Sequence, residues 1–328
     1  MNNLKKKIFI LSCFSAVVLW VCPMLGSEFI SWSVLWQKAS SAGLDRNIML
    51  MVRLPRFLLG IAAGSSLALS GAVFQSIFRN PLATPYTLGT ASGGSLGAVI
   101  AIKLGLDFTF GFFSTLSIAA FTGSLLSLLI VYGVGRRWRE FSGNTMLLAG
   151  VTVSFVFSAV TMFIHYVSDF TQTHRMLIWT MGSLDITSLP LAAGALPAVF
   201  AVQLYFFSMG PSLNQISVDD ELAHTRGVDV AFFRKRAFFL LSVLIGFTVS
   251  LAGPVSFVGL IVPHILRKIF GSDQRVLLPL SSLAGAVFLV LCDTAARLII
   301  MPSEVPAGII TAMTGGTFFI YLLLTRKP

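Results

Sequence analysis

Runs of apolar residues about 20 long, broken by short polar, glycine or proline segments, recur from one end of this chain to the other. They show neither the two-residue alternation of a half-buried strand nor the one-sided stripe of a surface helix. A bilayer core of about 30 Å needs about 20 helical residues, and backbone in lipid must satisfy its own hydrogen bonds. About ten spans follow, at 7–25, 55–78, 86–104, 109–134, 144–167, 189–209, 234–252, 255–269, 276–299 and 305–325. The pattern predicts an all-α polytopic membrane protein, one transmembrane domain over 1–328. The eighth span is short, and Gly253-Pro254 ahead of it predicts a bent or discontinuous helix.

Composition agrees, with 55% hydrophobic and 11% charged residues and a mean hydropathy of +0.87. An ordinary soluble enzyme is excluded, because soluble domains carry about 25% charged residues. The net charge of +10 does not point to nucleic acid, since the basic residues sit in short loops between apolar runs. With the amino terminus in the cytoplasm, the inside segments hold Lys5 to Lys7, Arg79, Arg136, Arg137, Arg139, Arg226, Arg234, Lys235, Arg236, Arg267, Lys268, Arg275, Arg326 and Lys327. These are 16 of the 23 Lys and Arg, an asymmetry that predicts both termini inside. Lys5 to Lys7 ahead of an apolar run resemble a signal peptide, but no Ala-x-Ala site follows, so an uncleaved first helix is expected. Cys13, Cys22 and Cys292 have neither metal-ligand nor disulfide-framework spacing.

Gly60 and Gly64, and Gly89, Gly93 and Gly97, stand four apart and predict close helix packing. Ser66-Leu-Ala-Leu-Ser-Gly-Ala-Val-Phe faintly echoes Ser250-Leu-Ala-Gly-Pro-Val-Ser-Phe, the trace of a weak inverted repeat. Between the sixth and seventh spans lies a polar connection, about 210–236. There Asp219, Asp220 and Glu221 open a short helix with carboxylates at its positive end, Val218, Leu222 and Ala223 give it an apolar stripe, and Gly227 ends it. A second short segment is expected at Asp229 to Arg234. Such a pair could dock a soluble partner; a solvated turn fits the charge pattern equally well.

Several stretches resemble the FecCD-type permeases of bacterial ABC importers, which take up ferric siderophores, haem and cobalamin. They are Arg53-Leu-Pro-Arg56, Gly71-x-x-x-Gln75, Arg79-Asn-Pro-Leu-Ala83-x-Pro85, Leu88-Gly89 and Gly253-Pro-Val-Ser-Phe-Val-Gly-Leu-Ile-Val-Pro-His264-Ile-x-Arg267, then Leu278-Pro279, Asp293-x-x-x-Arg297 and Glu304-x-Pro306-x-Gly308. The match runs in order along nearly the whole chain. Gln274 and Thr317 depart from it, where the family often has His and Pro. The resemblance implies a ten-helix permease of the inner membrane that pairs with a second, identical or paralogous, permease subunit. Two cytoplasmic ABC ATPase subunits would dock on the coupling helices, through Asp219, Asp220, Glu221, Leu222, Ala223, His224, Arg226, Gly227 and Val228. A periplasmic substrate-binding protein would offer carboxylates to Arg53, Arg56 and Arg297, exposed on the outer face; interfacial snorkelling and local pairing of Arg297 with Asp293 are the plainer alternatives. An inner gate would lie at Asn80 and Leu82 and at Gly143 and Asn144. An iron-siderophore cargo is expected as the family's commonest use.

No Gly-Lys dipeptide occurs anywhere, so no phosphate-binding loop of the Walker type is present. The chain is therefore expected to be no enzyme and to bind no cofactor, with ATP and Mg on the partner ATPase. His165 and His174, with Asp169, lack the spacing of a helical ligand pair, and no metal site is expected. The competing reading is a secondary carrier driven by an ion gradient, which needs ionisable residues inside its spans; Asp293 and Arg297 are nearly the only candidates.

Overall fold

A computed structural model describes residues 2–36, 43–137, 143–185, 188–301 and 303–325. In chain order the helices are α1 (Asn2–Val21), α2 (Gly43–Ile48), α3 (Leu54–Ile77), α4 (Thr90–Lys103), α5 (Thr115–Arg137), α6 (Gly143–Tyr166), α7 (Phe170–Thr180), α8 (Leu189–Ser208), α9 (Gly210–Val218), α10 (Asp220–Thr225), α11 (Val230–Ala252), α12 (Val258–Phe270), α13 (Gln274–Ile299) and α14 (Ala307–Thr325). A two-residue hairpin, β1 (Thr109–Phe110) and β2 (Phe113–Ser114), links α4 to α5.

Seven helical stretches among the described residues are long and apolar enough to cross a membrane, against about ten expected spans. The other three expected spans hold α4, α12 and α14, and the first two of these are shortened for visible reasons. Residues 86–88 belong to a 3-10 turn whose Thr84 exchanges backbone and side-chain bonds with Thr87, and Gly89, at φ +79°, starts α4 only afterwards. Residues 253–257 are non-helical, so the expected break before α12 is present, and Val255 N–H donates to the Tyr86 hydroxyl at 2.8 Å. The second span is longer than expected: α2 runs through a π-helical turn, Met49–Arg53, into α3.

Helix α3 is the axis of the bundle and packs on α8, α11, α12 and α13. At 1.5 Å per residue its 24 residues span about 36 Å. It can be surrounded because 11 of its 24 residues are Gly, Ala or Ser, which let neighbouring backbones approach. A Cβ on Gly64 would enter the Gly285 carbonyl of α13, and one on Gly71 would enter the Gly259 carbonyl of α12. With lipid as apolar as leucine, such close approach is what holds helices together. Gly71→Ala should therefore lower unfolding stability by about 1–3 kcal/mol, the usual cost of overpacking, measured as a fall in the thermal midpoint of solubilised protein; an unchanged midpoint would show that α12 is free to move away.

The two echo segments have different local structures. Residues 66–74 lie in mid-α3, whereas 250–257 cross the end of α11 into the non-helical break.

Candidate functional site

The two ends of α3 carry the two constellations of interest. At its carboxyl end the chain leaves the helix through Phe78 and Arg79, the latter at φ +47°, and Asn80 N–H returns to the Gln75 carbonyl at 3.2 Å. The Asn80 side chain accepts from Leu82 N–H at 2.9 Å, closing a turn that leaves Leu82 exposed.

Against this turn lies α10. Asp219 caps it, accepting from Glu221 and Leu222 N–H at 2.9 and 3.0 Å, and these backbone bonds, that of Leu222 first, hold its carboxyl below the usual aspartate value. Gly227, at φ +86°, ends the turn after it. Asp220 is the junction: its carboxylate receives both Nη atoms of Arg234 at 2.8 and 2.9 Å and Nη2 of Arg79 at 3.0 Å, while Arg234 Nε donates to the Ile77 carbonyl at 3.1 Å. A bidentate fork fixes orientation as well as distance, so α10, the start of α11 and the end of α3 are linked as one piece. Of the expected coupling residues, Leu222, His224 and Arg226 are exposed, Val228 packs at the edge of the core, and Ala223 is wholly buried. The apolar stripe is therefore split, Val218 and Leu222 outward and Ala223 inward. The expected second segment at Asp229 to Arg234 is instead the cap and first turn of α11, with Asp229 accepting from Phe232 N–H at 3.0 Å.

The 210–218 part of this connection, read from sequence as a loop, is the helix α9, and Pro211 is suited to its first turn. Its Asn214 is tied to Asp273 at 2.7 Å. Bonds from Arg275 first and Asn214 second hold the Asp273 carboxyl well below the usual range. A depressed folded value means the contribution is complete above the ordinary aspartate pKa of about 3.9 and is lost as pH falls below it. Wild type should therefore lose thermal stability between about pH 4 and 3 more steeply than Asp273→Asn; parallel curves would show that the clamp contributes nothing.

Gly143 and Asn144 begin α6, but their side chains lie outside the described residues. Where α6 meets the 85–88 turn, it does so at Gly150, a contact that sequence reading did not anticipate.

At the opposite end of α3 the arginines are not displayed. Arg53, Arg56 and Arg297 are 5%, 4% and 9% exposed, which corrects the expectation of free forks on an outer face. Arg53 donates to the carbonyls of Met24 and Glu28 at 2.8 and 2.5 Å. Arg56 Nη2 reaches Asp293 at 3.1 Å, and its Nη1 is shared by Asp185, at 2.5 Å, and Glu304. Arg297 Nε lies 3.2 Å from Asp293 one turn earlier, and Nη1 donates to the Leu25 carbonyl at 2.9 Å. Burial without such partners would cost several kcal/mol per ion. Asp185 was missed; nothing in its surroundings in the sequence marks it. Asp185 and Glu304 are each 44% exposed and form the outer edge of the cluster.

Asp169 caps α7, accepting from Gln172 N–H at 2.9 Å, and His174 stacks on Phe170. Neither contact is a ligand arrangement.

Seven apolar spans among the described residues, packed about a central helix, with a short surface helix locked to one end of it, make this chain a multi-span membrane protein. The chain belongs to the FecCD transport family, whose model matches residues 12–325. It is 41% identical over 276 residues, 84% of this chain and 73% of the relative, to the cobalamin import system permease protein BtuC of Halobacterium salinarum. It is 34% identical over 305 residues, 92% of this chain and 90% of the relative, to the hemin transport system permease protein HmuU of Yersinia pestis. A solved inward-facing ABC transporter, provisionally described as of the metal-chelate type, superposes with a TM-score of 0.85 over 98% of this chain and 100% of that one, at 29% identity. The family consists of ABC permease subunits, which are not themselves enzymes.

Proposed function

We propose that this chain is the membrane subunit of an ATP-driven importer that moves a large metal chelate from the periplasm to the cytoplasm through the bacterial inner membrane. The cargo we favour is a tetrapyrrole-type complex, cobalamin or haem, because relatives at 41% and 34% identity carry those names. The iron-siderophore expectation rests on family usage alone. In this reading the chain crosses the membrane ten times, with α4, α12 and α14 completing the seven longer spans, and both termini are cytoplasmic.

The observation that carries the proposal is the Asp220 junction, which joins an exposed short helix to the end of the central helix. Two ATPase subunits, which hold the ATP and Mg, dock on Leu222, His224 and Arg226. Their closure moves α10 and, through Arg79, the turn at Asn80 and Leu82; Gly143 and Asn144 complete that gate. A second permease copy or paralogue packs against α6 and α14, whose outward faces carry the small polar residues Thr152, Ser158, Thr314 and Thr317 among apolar ones. The binding protein docks at the other end, over the Arg53, Arg56 and Arg297 cluster, where an incoming carboxylate reaches Arg56 only by displacing Asp185 or Glu304.

Proteoliposomes containing this chain, an ATPase and a binding protein should accumulate cobalamin or haem only with ATP inside. Uptake driven by an ion gradient without any ATPase would replace the importer with a secondary carrier, and uptake of ferric siderophore alone would overturn the choice of cargo.

A further inference from the structure

Helix α11 enters the apolar bundle beside α8 and leaves a cleft of about 460 Å³ between them, lined by Tyr205, Phe232, Lys235, Arg236, Phe239 and Leu240. Two features of this cleft are not used by the transport machinery described above. First, Lys235 and Arg236 are both exposed, and among the described residues neither lies within ion-pair distance of a carboxylate. Their cationic ends rest instead on aromatic faces, Lys235 Nζ 5.8 Å from the Tyr132 ring centre and the Arg236 guanidinium 4.6 Å from that of Phe232. Aromatic faces support a cation without neutralising it. Asp229, the acidic residue nearest in sequence, spends its carboxylate capping α11.

Second, the cleft sits at a change of environment. On one side are the polar residues of the α9–α11 connection; on the other, the same face of α11 continues through Leu240 and Val243, 37% and 42% exposed. Unpaired cations among Tyr and Phe at the foot of an exposed apolar stripe match the headgroup level of a bilayer, with acyl chains alongside the stripe. A soluble protein partner would leave Leu240 and Val243 uncovered; a free phosphate ion would use the cations and ignore the stripe.

We propose that the cleft between α8 and α11 is a binding site for an anionic glycerophospholipid, its phosphate held between Lys235 and Arg236 and one acyl chain lying along Phe239, Leu240 and Val243. Because Gly227, Val228 and Asp229 line an adjoining recess that shares Tyr205, Phe232 and Arg236, an occupied site braces the connection that carries α10.

The test compares purified wild type, Lys235→Gln/Arg236→Gln and a charge-matched control, Lys5→Gln/Lys6→Gln, by native mass spectrometry with phosphatidylglycerol, phosphatidylcholine and inorganic phosphate as separate probes. Wild type should retain phosphatidylglycerol over phosphatidylcholine, and the cleft variant should lose about fivefold in affinity for each charge removed. The control should bind as wild type does. If the double variant does not purify as a folded species, each single substitution should show its own fivefold loss. Equal retention of both lipids, equal losses in the cleft variant and the control, or inorganic phosphate competing the lipid away at equal concentration would overturn the site.

Discussion

Arg56→Ala lowers the unfolding free energy of the solubilised protein by about 3–5 kcal/mol, the usual cost of removing one partner from a buried ion pair. This one side chain meets Asp293, Asp185 and Glu304, from three segments distant in sequence. Without it Asp293, 4% exposed, keeps Arg297 as its one cationic partner among the described residues. A double-mutant cycle separates the partners: Arg56 with Asp293, both about 5% exposed at the side chain, should couple at least twice as strongly as Arg56 with Glu304, whose outer edge is wet. A loss from Arg56→Ala no larger than that from Glu304→Ala would mean that the cluster does not hold this face of the bundle together.

The second large effect is on transport. Asp220→Asn removes the charge that holds two arginines, and hydrogen bonds to charged groups are worth about 1.5–3 kcal/mol, so ATP-driven uptake should fall about tenfold or more. The ATPase should still co-purify, because Leu222, His224 and Arg226 remain on the exposed face of α10. Arg275→Gln, which breaks an exposed pair with Asp273 on the same side of the molecule, should leave uptake within about twofold, as exposed pairs contribute little. Loss of ATPase binding in Asp220→Asn would make the residue part of the docking surface instead of the link behind it.

The seven longer spans were legible because each is a continuous local pattern of 20 or so residues, and the start of α10 was legible because Asp219 and the N–H groups it accepts from are within three positions. The helix α9 was not, since 210–218 reads only as the start of a polar connection; packing of Leu213 and Ile216 into the core makes it a helix. Nor was α7, where an Asp cap precedes a helix too polar to read as a span. The arginines show the opposite failure. Their positions were singled out and their burial was not foreseen, because a charge on a sequence carries no sign of burial until its partners are placed.

Hydropathy, capping residues and glycine spacing act within about four positions along the chain, so class, the seven longer spans and the short acidic helix could be read from the order of residues alone. Which carboxylates surround Arg56, 129, 237 and 248 positions away, which carbonyl approaches Gly71, and that Asp220 meets both Arg79 and Arg234 were decided by how α3, α11, α12 and α13 pack. Such contacts exist only once distant helices share a volume, and no local preference encodes which distant residue arrives there.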